Sequence, residues 1–164
     1  MMTTIDKIDS LLGRILLVLS GAAVLALMLL ATGNVVLRIF HVPYRGTYEI
    51  VSFLGAIGVA FALASTQRGK GHIVVDILSS HYPRPVKRLV DALSAGVSAV
   101  FFGIVAWQVF VWGTRIMAGG EVSETLKIVY HPFVFGVAAG FGILCLTCLL
   151  DIPRAFRKGE EAAP

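Results

Sequence analysis

Cys145 and Cys148 stand in a C-x-x-C spacing, the pattern in which two thiols cycle through a disulfide. A quinone-linked disulfide enzyme needs such pairs at the outer membrane face and usually has four cysteines. These two lie toward the end of an apolar run that the charge pattern places on the cytoplasmic side, where thiols stay reduced. They read as small buried thiols on one side of a helix. The histidines point no further. A membrane haem needs axial histidines held within helices, whereas His41, His72, His81 and His131 flank or separate the apolar runs. Carboxylates are also peripheral: Glu49 and Asp91, like Arg38, sit at the ends of apolar segments. Ionisable groups inside a membrane mark ion and proton pathways because they are costly to keep there. A four-helix exporter would place a carboxylate well inside a helix, so ion-coupled transport by this chain alone is not expected. No Ser-His-Asp set, metal-ligand cluster or phosphate-cradling glycine loop is legible. The expectation is a chain with no catalytic residues and no cofactor.

The elements that hold these residues are set by the distribution of charge. Of 164 residues, 57% are hydrophobic and 15% charged, with a mean hydropathy of +0.84. A soluble domain carries roughly a quarter of its residues as Asp, Glu, Lys and Arg. Four windows, 15–37, 50–67, 92–114 and 128–150, contain no charge; they take up 87 residues, so all 24 charges fall in the other 77. Each window is near the roughly 20 apolar residues that cross a bilayer. An all-α membrane protein with four transmembrane helices follows, a single four-helix domain over residues 1–164 with a charged cytoplasmic tail over 151–164. The first window is too long for the roughly 7–15-residue core of a signal peptide, and its flank mixes Asp6, Lys7, Asp9 and Arg14. A retained helix is expected.

Orientation is read from Lys and Arg. With the N-terminus inside, the cytoplasmic side holds 10 of them and the far side 4, so both termini are expected in the cytoplasm. The formal charge of +4 then reflects topology and anionic lipid headgroups rather than nucleic acid. Tyr44, Tyr48, Trp112 and Tyr130 fall at the predicted outer interface, where amphipathic rings prefer to lie. Phe133 and Phe135 are expected to face lipid or a partner.

The connections add three features. Over 71–80, His72, Asp76, Ser79 and Ser80 share one helical face and Ile73, Val74, Ile77 and Leu78 the other. This predicts a short amphipathic helix in the cytoplasmic interface, stopped by Pro83 and Pro85; an irregular loop packed under the bundle is the alternative. Gly119-Gly120 predicts a turn, and Pro132 suits the first turn of the last helix. Small residues recur at helical spacing: Ser52, Ala56, Ala60 and Ala64 with Gly55 and Gly58; Ala95, Ala99 and Gly103; Gly136 and Gly140. Such stripes let helices approach closely in lipid. They suit internal packing and a partner membrane protein equally.

The stretch from Gly46-Thr47-Tyr48-Glu49-Ile50 through Phe53-Leu54-Gly55-Ala56 to Gln67-Arg68-Gly69-Lys70-Gly71-His72-Ile73-Val74-Val75-Asp76-Ile77-Leu78 and Pro83 resembles the DctQ-like family. These are the small membrane subunits of tripartite ATP-independent periplasmic (TRAP) transporters. The resemblance covers nearly the whole chain. It departs in having Tyr44 and Tyr48 where a Trp is frequent, and Pro132 displaced from a Leu-x-Ile-Pro start. It implies an accessory subunit in a bacterial inner membrane. A periplasmic binding protein captures an organic acid, and a larger membrane subunit carries the sodium and substrate sites. The small subunit scaffolds the large one. On that reading Arg38 and Glu49 are candidates for an ion pair or a contact to the large subunit. Arg45 and Tyr48 are candidates for the binding protein, Gly55 and Ala56 for helix contacts with the large subunit, and His72 and Asp76 for anchoring the interfacial helix, with both simply facing water as the equal alternative. A membrane anchor for a redox enzyme complex is the rival reading.

Overall fold

A computed structural model describes residues 2–42, 44–68 and 84–157, without side-chain placement at either extremity or around residues 84–88. The described residues form four helices: α1 (Met2–Ile39), α2 (Thr47–Arg68), α3 (Arg84–Gly119) and α4 (His131–Arg157). All four are long and apolar enough to cross a membrane, over Leu11–Ile39, Thr47–Arg68, Leu89–Gly119 and His131–Pro153. The predicted interfacial helix at 71–80 lies outside the described residues.

Three of the four charge-free windows sit inside their helices; the last does not. Ile128 and Val129 belong to the preceding connection, where Val129 bridges Val122 in antiparallel fashion. The helix begins only where Pro132, lacking an N–H, can occupy a first turn whose N–H groups have no intrahelical partner anyway. At its far end α4 continues through Pro153 to Arg157. At 1.5 Å per residue, the 38 residues of α1 and 36 of α3 span about 54–57 Å. Both outrun a hydrocarbon core of about 30 Å, whereas α2, with 22 residues, matches it.

Packing joins α1 to α2, α2 to α4 and α4 to α3, so the helices lie in the order α1–α2–α4–α3. Each outer helix forms an antiparallel hairpin with the inner helix next to it in sequence. The two inner helices run parallel, start beside start. Exposed large apolar side chains crowd α1 and α3, while α2 contributes Tyr48 and Val59 and α4 contributes Leu146 and Leu149. Small residues set the approaches. A Cβ on Gly58 would meet Ala23 at 3.5 Å, one on Gly103 would meet Cys145 at 3.3 Å, and one on Gly140 would lie 2.9 Å from the Ala60 Cβ. Leu16, Ala64, Ala99, Leu144 and Cys148, one or two from each helix, form the buried core toward the Arg68 end.

Candidate functional site

At the end carrying the two short connections, the chain between α3 and α4 is shaped by its backbone donors. Gly120, at φ +62°, closes α3. Its N–H donates to the Met117 carbonyl (3.3 Å) and that of Glu121 to Ile116 (3.2 Å), the pairing of a left-handed helix cap. The chain then reverses: the Ser123 N–H donates to Ile128 (2.9 Å), with Lys127 at φ +54° in the bend. The Thr125 and Leu126 N–H groups at the tip have no ladder partner. Glu49, on the first turn of α2, supplies one. Its carboxylate accepts the Thr125 N–H (2.6 Å), the Leu126 N–H (3.1 Å) and the Ser123 hydroxyl (2.7 Å). An ionised carboxylate facing two amides and a hydroxyl makes charge-assisted bonds. Leu126 lies directly over Gly46, where a Cβ would overlap its side chain. One helical turn on, Phe53 stacks against Tyr130 (5.9 Å, 8°) and Phe133 (5.0 Å, 15°). The Tyr130 hydroxyl donates to Glu121 (2.7 Å), and that bond holds the phenol above its ordinary pKa.

The opposite end repeats the join with other chemistry. Arg68 Nε donates to Thr147 Oγ1 (3.1 Å) and Gln67 Nε2 to Asp151 Oδ2 (3.1 Å). Thr147 is fully buried, and its own hydroxyl donates to the Ile143 carbonyl (2.9 Å). The Ser65 hydroxyl reaches the Gly13 carbonyl of α1 at 3.4 Å, and Gly13 also leaves room for the Arg68 stem. The α2–α4 pair is therefore clasped at both ends, with small-residue packing between. The groups at both ends hold one helix against the other. Among the described residues no three His, Cys, Asp or Glu side chains gather where a metal ion would be held.

The residues singled out from the sequence divide by position. Arg38, Arg45 and Tyr48 are exposed at the short-connection end, Tyr48 to 77%. Glu49 is half-buried, and its carboxylate is engaged by Ser123, Thr125 and Leu126 of the connection before α4. A Cβ on Gly55 would meet Leu27 of α1 at 3.6 Å, whereas Ala56 is exposed. His72 and Asp76 lie outside the described residues. Phe133 and Phe135, expected to face outward, pack within the chain instead. Phe133 lies on Phe53, and Phe135 lies between Phe110 (5.5 Å) and His131 (6.0 Å) against Gly113. The late start of α4 turns this first turn toward its neighbours. Cys148 is fully buried and the Cys145 thiol donates to the Ala99 carbonyl (3.2 Å). Sequence reading missed Ser123, Thr125, Leu126 and Thr147. The available signal was Ser123-Glu124-Thr125 between Gly120 and Pro132, a turn-forming run whose acceptor sits elsewhere in the chain.

Residues 12–158 match the family described as tripartite ATP-independent periplasmic transporters, DctQ component. No curated protein and no solved structure matches the chain. A match over nearly the whole length, on four helices long and apolar enough to cross a membrane, settles the affiliation: the chain belongs to the DctQ family, the small component of these tripartite transporters.

Proposed function

We propose that the chain is a non-catalytic scaffold for the large membrane subunit of a sodium-coupled organic-acid importer in a bacterial inner membrane. The carrying observation is the helix order α1–α2–α4–α3. A row clasped along its centre presents broad apolar surface on its outer helices. It thereby extends a neighbouring membrane protein sideways and stiffens it, while the polar side chains at the clasps are engaged within the chain. The solute and sodium sites belong to the large subunit. Both termini lie in the cytoplasm, the short connections face the periplasm, and the 71–80 segment lies in the cytoplasmic interface with His72 and Asp76 on its polar face. Exposed Arg45 and Tyr48 stand where a periplasmic binding protein docks transiently, Arg38 beside them. Ala56 remains available to the large subunit; Gly55 contributes through α1. Lipid covers what the partner does not.

The test is co-expression with the large membrane subunit of the same transporter. The pair is expected to co-purify, and deletion of this chain is expected to abolish organic-acid uptake energised by a sodium gradient. A large subunit that transports at full rate alone would overturn the scaffold reading.

A further inference from the structure

The face of α3 turned away from α4 carries Val97, Phe101, Ile104, Gln108 and Arg115, all exposed. Their spacing of three, four and seven residues places them on one side of the helix. Gln108 lies within the charge-free window 92–114, about 10 Å along the axis from Arg115. With Arg115 at headgroup depth, its amide sits in hydrocarbon. Three hydroxyls in the spans donate to their own helix backbone: Ser20 to the Leu17 carbonyl, Ser52 to Tyr48 and Thr114 to Val111. Gln108 has no such outlet, for its side chain makes no hydrogen bond among the described residues. A carboxamide left in lipid keeps two donors and an acceptor unmet. Arg115, two turns outward, is likewise without an internal partner among the described residues.

We propose that this α3 face is covered by a transmembrane helix of the large subunit, which carries a hydrogen-bonding side chain at the depth of Gln108 and an acceptor for Arg115. The proposal rests on the scaffold reading above and assigns its contact surface. A second copy of the chain fits less well. An amide could pair with its own copy, but parallel self-association through this face would bring two Arg115 guanidinium groups together at one level.

A photo-crosslinking benzophenone amino acid at position 104, one turn from Gln108, tests this in membranes of cells expressing the whole transporter, with position 25 on α1 for comparison. An adduct with the large subunit, identified by mass, is expected from position 104. An adduct with a second copy, or with lipid alone, overturns the proposal. Gln108→Leu should leave membrane insertion unchanged and lower recovery of the large subunit in detergent about three- to fifteen-fold, the range of one interhelical hydrogen bond. Gln108→Asn should retain most of the recovery, and equal recovery for Leu and wild type would count against the assignment. Wild-type co-purification separates the two readings. If it fails, the scaffold reading fails; if it holds while both α3 readouts are negative, only this face is wrong.

Discussion

Glu49 occupies the position where its charge is most useful to the backbone rather than to a ligand. The loop tip offers two N–H groups and one hydroxyl, all donors, and a carboxylate answers all three. A carboxamide cannot, because its NH2 group would confront an amide N–H. Glu49→Gln is therefore expected to loosen the 121–130 connection. Trypsin cleavage after the exposed Lys127 in detergent should accelerate several-fold, with Glu49→Asp intermediate because the shorter stem reaches fewer donors. Unchanged cleavage kinetics would show that the clasp is incidental. His41 poses the complementary case. It ends α1 at φ +61°, with its N–H donating to Arg38 and that of Val42 to Leu37, both at 3.1 Å. This is the left-handed cap in which glycine is favoured, and non-glycine residues there cost of order 1–3 kcal/mol. His41→Gly should raise stability by about 0.5 kcal/mol once the added freedom of the unfolded chain is subtracted. His41→Val, β-branched, should lower it by about 1–2 kcal/mol. Thermal unfolding of the purified chain in detergent reads both signs.

The helices themselves were legible because a charge-free run long enough to cross a bilayer has few other fates. Their partners were not. Ser52, Ala56, Ala60 and Ala64 look like one stripe, but a step of four residues in a 3.6-residue helix advances about 40°. By Ala64 the stripe has swung about 120°, and the structure divides it: Ala60 and Ala64 are buried, Ser52 and Ala56 exposed. The Glu49 clasp was hidden for another reason. Its partners lie 74 to 77 positions away, and nothing local to Glu49 distinguishes an acceptor for a distant loop from an acceptor for Arg38. Gly136 and Gly140 were visible as a pair, and the structure supplies the opposing surface. A Cβ on Gly140 would sit 2.9 Å from the Ala60 Cβ and 3.3 Å from its backbone carbonyl carbon, which cannot move aside without the whole of α2. Gly140→Leu should therefore cost about 1–3 kcal/mol, the range of overpacking. Gly142, two residues on, has nothing within 4 Å, and Gly142→Leu should leave the unfolding midpoint in place. Equal effects from both would mean that the α2–α4 seam is not the close contact described.

At the scale of the molecule, the seam joins two units that each meet the requirements of insertion alone. Residues 1–75 hold one hairpin, with Lys7, Arg14, Arg68 and Lys70 on the side assigned to the cytoplasm against Arg38 and Arg45 opposite. Residues 76–164 hold the other, with six Lys and Arg residues (Arg84, Lys87 and Arg88 in the first turns of α3, and three after Asp151) against Arg115 and Lys127. Each half thus obeys the positive-inside rule independently, and an even number of spans returns its chain to the side it left. Association in lipid then depends on close packing and interhelical hydrogen bonds, since no hydrophobic force separates helix from lipid. The seam supplies both: Gly136 and Gly140 against Ile57 and Ala60, and a clasp at either end. The two pieces, expressed separately in one cell, are expected to insert and to find each other, so that a tag on the first recovers the second from detergent-solubilised membranes. Glu49→Gln together with Gln67→Ala in the first piece removes one contact from each clasp and should reduce that recovery several-fold while leaving both pieces in the membrane. If the wild-type pieces insert but never associate, the connection between α2 and α3, rather than the seam, holds the row together. The chain would then be two independent hairpins ordered by their tether and their partner.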